Sequence, residues 1–251
     1  MNFVDLVCKS ANIFINTEDS MKNLIKKIFF EMREIIGLEQ SDSRTTKAQF
    51  FLTVFLQLIF VGSFIWAFFE TLWQVMFVSA LGMICIWLPL FFAKKQRVYL
   101  PVDFIFVFTL FIYLALFLGE IRSFYFRFWW WDMILHFFSG IALGFIGFLI
   151  LYSLYKNNRL PISAGLLVFL SFTFAVALGS VWEIFEFAMD SFFGLNMQKS
   201  GLLDTMWDLI LNTFGALIAS TSGYFYLKHQ TRGIGIFQYF VNVFLSKNKQ
   251  I

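Results

Sequence analysis

Apolar residues run through this chain in long unbroken stretches, interrupted by short polar punctuation. Each stretch reaches the roughly 20 residues that a helix needs to cross hydrocarbon. None shows the ten-residue alternation of barrel strands. The pattern predicts an all-α polytopic membrane helical bundle with six transmembrane helices at Ala48–Phe69, Leu72–Phe92, Val102–Gly119, Asp132–Tyr155, Pro161–Met189 and Asp204–Leu227.

Two further segments read as lying at the interface and not as spans. In Ser20–Leu38, apolar positions such as Leu24, Ile28, Met32 and Ile35 recur at helical spacing among Lys22, Lys26, Lys27 and Arg33. Ile234–Leu245 is a short apolar run in the tail. Both are expected as amphipathic interfacial helices. The chain thus divides into a cytoplasmic N-terminal segment (1–47), a six-span domain (48–227) and a cytoplasmic or interfacial tail (228–251).

Composition agrees with this reading. The chain is 59% hydrophobic, 22% aromatic and 14% charged, against roughly 25% charged in soluble domains. The net charge of +3 and the scattered basic residues argue against a nucleic-acid surface. Two cysteines, Cys8 and Cys85, make neither a disulfide framework nor a thiolate metal site.

Loop charges set the expected orientation. Arg44, Lys47, Lys94, Lys95, Arg97, Lys156, Arg159, Lys228 and Arg232 gather on one side, with Arg122, Arg127 and Lys199 on the other. By the positive-inside rule both termini are expected in the cytoplasm. Trp66, Trp73, Trp129, Trp130, Trp131, Trp182 and Trp207 then fall near the outer ends of spans, where indole favours the headgroup layer.

Candidate chemistry gathers at that outer level. Asp132 and His136 share a face of the fourth span, and Glu183, Glu186 and Asp190 lie within about 60° of one another on the fifth. Asp204, Asp208 and Asn212 line one face of the sixth, about 6 Å of rise between neighbours. Beyond each stripe the same faces become small: Gly140, Gly144 and Gly147; Gly179 and Ala175; Ala216, Ser220 and Gly223. Small residues at this spacing let helices approach closely in lipid. The stripes are therefore expected to face one another.

Six carboxyls, those of Asp132, Glu183, Glu186, Asp190, Asp204 and Asp208, cannot all be ionised and unpaired at low dielectric. Protons or a bound cation must neutralise some of them. Asp132, His136, Glu183, Glu186, Asp204 and Asp208 are candidate metal ligands for Mg²⁺, Mn²⁺ or Zn²⁺. Asp190 and Asn212 are candidate binding residues, and His136, Glu186 and Asp208 candidate catalytic ones. Asp132 and Asp204 also sit where helix N-caps are expected. Glu70 and Glu120 read as solvated turn residues.

The motifs Asp132-x-x-x-His136-Phe137, Glu183-x-x-Glu186 and Asp204-Thr-x-x-Asp208-Leu-x-x-Asn212-x-x-Gly215-Ala216 resemble the YjdF-like family of bacterial inner-membrane proteins. More distantly they resemble VanZ-like proteins, which have an accessory role in teicoplanin resistance. The likeness covers roughly residues 129–225. Met133 stands where the VanZ pattern has Lys, Glu186 stands where it has Gln, and no Arg precedes Asp208 at the matching place.

Three functions are open at this stage. The pocket either acts on a lipid-linked phosphate of the envelope, with membrane lipid as its partner, or binds a headgroup without turnover. Alternatively the carboxylates serve a proton- or cation-coupled transporter.

Overall fold

The computed structural model describes residues 44–96, 100, 102–156, 161–229 and 235–247. The Ser20–Leu38 helix expected from periodicity lies outside the described residues. Among these, the protein is all-α. Six helices are long and apolar enough to cross a membrane: Lys47–Phe69, Trp73–Phe91, Val102–Ile121, Trp131–Lys156, Ala164–Phe193 and Leu202–Lys228. Their ends fall within a few residues of the expected ones.

The elements are α1 (Arg44–Phe69), α2 (Trp73–Gln96), α3 (Val102–Ile112), α4 (Phe124–Arg127), α5 (Trp131–Lys156), α6 (Ala164–Phe193), α7 (Leu202–His229) and α8 (Gly235–Lys247). Two local features differ from expectation. Nearly half of the third span, Tyr113–Ile121, is π-helical, so Arg122 N–H reaches back five residues to the Phe117 carbonyl (2.9 Å). Pro161 does not open the fifth span. Ser163 caps it, its hydroxyl accepting from Leu166 N–H at 3.2 Å, and Gly194 closes it in the left-handed conformation (φ 64°).

α1, α2 and α3 pack as one group around Phe60, Val78, Ile86, Ile112 and Leu116. α5, α6 and α7 pack as a second group. Phe104 of α3 bridges them, stacking on Phe145 of α5 with ring centroids 5.8 Å apart. Large apolar side chains such as Phe55, Phe169 and Ile184 point outward, as helices do when lipid is the solvent.

The two ends of the bundle are distinct. At one end Gln49 Nε2 and the Tyr239 hydroxyl donate to Asp103, at 2.8 and 3.4 Å, drawing α8 to the starts of α1 and α3. α8 is docked there, with Val241 and Phe244 buried against Phe148, Leu167 and Tyr226. At the other end Gln74 Nε2 donates to the Leu195 carbonyl (3.2 Å), which joins the start of α2 to the α6–α7 loop. Exposed Trp66, Trp73 and Trp129 ring this end. The polar stripes of α5, α6 and α7 come together here.

Candidate metal and headgroup site

The three stripes meet because the helices beneath them almost touch. A Cβ added to Gly140 of α5 would run into the backbone of Asn212 on α7, and one added to Gly179 of α6 would occupy the place of Asn212 Nδ2. Gly144 packs on Ala219 and Ala216, a little less closely. Asn212 is thereby clamped between two neighbouring helices, 2% exposed, and its Oδ1 accepts no hydrogen bond among the described residues. It forms the floor of the site.

Above this floor one imidazole is surrounded by carboxylates. His136 Nε2 lies 3.4 Å from Asp132 Oδ1 and 4.0 Å from Asp208 Oδ2, and Nδ1 lies 3.6 Å from Glu183 Oε1. The Asp132 contact is at the long limit of a hydrogen bond, and the other two lie beyond it. Glu183 and Asp208 are 4% and 2% exposed, yet both Glu183 oxygens, with the Thr205 hydroxyl beside them, and Asp208 Oδ2 make no hydrogen bond of full geometry among the described residues. Buried carboxylate oxygens left in this condition are costly in a helix bundle at membrane depth.

A divalent cation fits the arrangement. One ligand atom each from Asp132, His136 and Asp208 lies within 4.8 Å of the others. Oxygen and nitrogen ligands at roughly 2.0–2.2 Å from a metal stand at most about 4.4 Å apart. A contraction of a few tenths of an ångström closes the difference. A set of two carboxylates and one imidazole suits Mg²⁺, Mn²⁺ or Zn²⁺.

The remaining expected residues divide. Glu186 lies within electrostatic reach of Glu183, His136, Asp132 and Asp208, and its Oε1 accepts from Trp182 Nε1 at 2.9 Å. Asp204 lies within electrostatic reach of Asp132 and His136, with Oδ2 buried and unpartnered among the described residues. Asp190 instead organises the loop to α7: its two oxygens accept from Met197 N–H (2.5 Å) and Gln198 N–H (2.8 Å). Gln198 Nε2 continues the brace to Thr205 (2.6 Å). Asp132 and Asp204 are not caps, since α5 begins at Trp131 and α7 at Leu202, placing both in first turns. An acidic first turn gains from the helix dipole in either place.

Two features at the rim have no precedent in helical spacing. Glu120 is not a solvated turn residue: its carboxylate accepts from Lys199 Nζ at 2.6 Å in a largely buried ion pair. The Lys199 ammonium also lies 4.9 Å from the centre of the Tyr125 ring. Tyr125 itself enters the electrostatic environment of Asp132, Glu120, Glu186 and Asp208. Glu70 is exposed, as a turn residue should be.

A family described as "Predicted membrane protein (DUF2238)" matches residues 52–229, most of the chain and all of the site. The chain belongs to this family. An uncharacterized protein of Thermotoga maritima is 32% identical over 104 residues, 41% of this member of the family and 53% of the relative. The chain thus covers about half the length of that curated relative. No solved structure matches it. This DUF2238 protein is therefore an integral membrane protein with six apolar helices and a carboxylate–histidine cluster at one end of the bundle.

Proposed function

We propose that the protein binds a divalent metal at the outer headgroup level of a bacterial inner membrane and uses it on a lipid-linked phosphate of the envelope. One observation carries the reading: a single imidazole stands among three carboxylates at 3.4–4.0 Å, while buried oxygens of Glu183 and Asp208 lack a close hydrogen-bond partner among the described residues. Asp132, His136 and Asp208 would hold the ion, and Glu183 beside His136 Nδ1 would fix the ring's orientation. When bound, such an ion neutralises and polarises a phosphoryl oxygen. Glu186, steadied by Trp182, is placed to hold or release a proton beside the cluster. In the enzymatic form of this reading the protein is a metal-dependent hydrolase or transferase. The form without turnover uses the same residues to bind the headgroup.

The outer location follows from the basic loops at the opposite end, and it accords with the YjdF-like resemblance. The VanZ-like resemblance rests on the motif residues, and the departures at Met133 and Glu186 lie inside the pocket's own helices. The closed floor at Gly140, Asn212 and Gly179 favours binding or catalysis over transport, because the helices meet directly beneath the carboxylates.

Elemental analysis of the full chain purified without added chelator, with mass spectrometry of co-purifying lipids, tests the reading. One equivalent of metal per chain is expected in the wild type, with its loss in Asp208→Asn. A wild-type protein that carries no metal and takes up none of the three ions from solution would overturn it.

A further inference from the structure

Carboxylate oxygens are in excess in this site, and donors are scarce. Trp182 Nε1 is given to Glu186, and Lys199 Nζ is given to Glu120 and to the Asn196 carbonyl. The Tyr125 hydroxyl donates to none of the described residues. Yet Tyr125 is not free to move. Its ring lies on Gly119, where an added Cβ would come 2.6 Å from Cζ, and the Lys199 ammonium covers the ring 4.9 Å from its centre. The π-helical turns of Tyr113–Ile121 bring Gly119 and Glu120 to this place together. Glu120 holds Lys199, Lys199 covers Tyr125, and Gly119 leaves room for the ring. A neutral phenol is thus fixed at the rim of the acidic cluster. Burial, reinforced by Asp132, Glu120, Glu186 and Asp208, holds the pKa of the phenol well above the ordinary tyrosine value, so the proton stays on the oxygen.

We propose that Tyr125 is a ligand-binding residue of this site, donating its hydroxyl hydrogen to an anionic phosphate oxygen of the molecule that the metal also engages. This rests on the metal reading given above, and it narrows the ligand to one bearing phosphate. A cationic headgroup would find acceptors here without any help from a phenol. A phosphate bridging to a metal needs a second donor for its remaining oxygens, and Tyr125 supplies one without adding a charge.

The test uses the full chain in detergent, titrated with Mn²⁺ alone, and then, at saturating Mn²⁺, with inorganic phosphate or with dioctanoyl phosphatidate. Wild type is expected to bind at least one phosphate probe. Binding to phosphatidate alone would identify a lipid headgroup, and binding to both a free phosphate group. Tyr125→Phe is expected to weaken that binding roughly tenfold or more, the worth of a hydrogen bond to a charged group, and to change the Kd for Mn²⁺ by no more than about twofold, since the phenol is not a metal ligand. Gly119→Leu, which pushes the ring aside, is expected to reproduce the loss. The proposal is overturned if wild type binds Mn²⁺ but neither probe. It is equally overturned if Tyr125→Phe binds phosphate as wild type does, or if it loses Mn²⁺ in parallel. Phosphate binding that depends on Tyr125 in a protein that takes no Mn²⁺ would sink the metal reading and leave Tyr125 in place. A wild type that binds neither metal nor phosphate sinks both.

Discussion

Nδ2 of Asn212 on α7 occupies the place where Gly179 of α6 would carry a Cβ. The two helices are therefore in register only while residue 179 has no side chain. Gly179→Ala is expected to cost about 1–3 kcal/mol of stability through overpacking. The double variant Gly179→Ala with Asn212→Ala should recover part of it. Thermal unfolding of the purified protein in detergent reads both. A Gly179→Ala protein that melts like wild type would refute the close approach.

His136 and Asp208 are expected to be indispensable for metal. His136→Ala and Asp208→Asn should each weaken Mn²⁺ or Zn²⁺ binding by about a hundredfold or more, beyond the 10–100-fold cost of losing an outer-shell partner. Isothermal titration on folded, monodisperse protein is the measurement. Retained affinity in both variants would remove these residues from the ligand set.

Glu183 lies 3.6 Å from the other ring nitrogen of His136. Glu183→Gln keeps the shape and removes the charge that orients the ring. Metal affinity is expected to fall about 10–100-fold, less than for a direct ligand. A loss as large as that of Asp208→Asn would make Glu183 a ligand itself.

Lys199 and Glu120 form a largely buried pair at 2.6 Å. Lys199→Met strands the Glu120 carboxylate and is expected to cost about 3 kcal/mol or more, whereas Lys199→Met with Glu120→Gln should return much of it, because replacing both partners is far cheaper than breaking the pair. Chemical denaturation of the three proteins supplies the cycle. Additive losses would mean that the pair contributes nothing.

The spans and the three acidic stripes could be read in advance for the same reason. Membrane length and helical period are both local, so Asp132 with His136, or Asp208 with Asn212, declare a shared face from spacing alone. The rim could not. Glu120 and Lys199 are 79 positions apart, and Tyr125 sits in the four-residue helix α4, too short to show a period. The one available sign was a tyrosine among the Arg- and Trp-rich residues that follow the third span. Asp190 shares the helical face of Glu183 and Glu186, but the α6–α7 loop folds back on it and takes up both of its oxygens. Periodicity cannot see that return. The π-helical turns at Tyr113–Ile121 are likewise stabilised from outside: the Trp131 indole donates to the Leu114 carbonyl at 3.3 Å across the intervening segment.

The exposed indoles of Trp66, Trp73 and Trp129 surround the same end as the carboxylates. Tryptophan resists leaving the headgroup layer in either direction. These rings therefore act as a depth gauge, holding the cluster at one height in the bilayer. On the function proposed above, selection by the pocket would depend on altitude as well as chemistry. A phosphate on a molecule that floats higher or lies deeper would never come level with His136, whatever its affinity for the residues there.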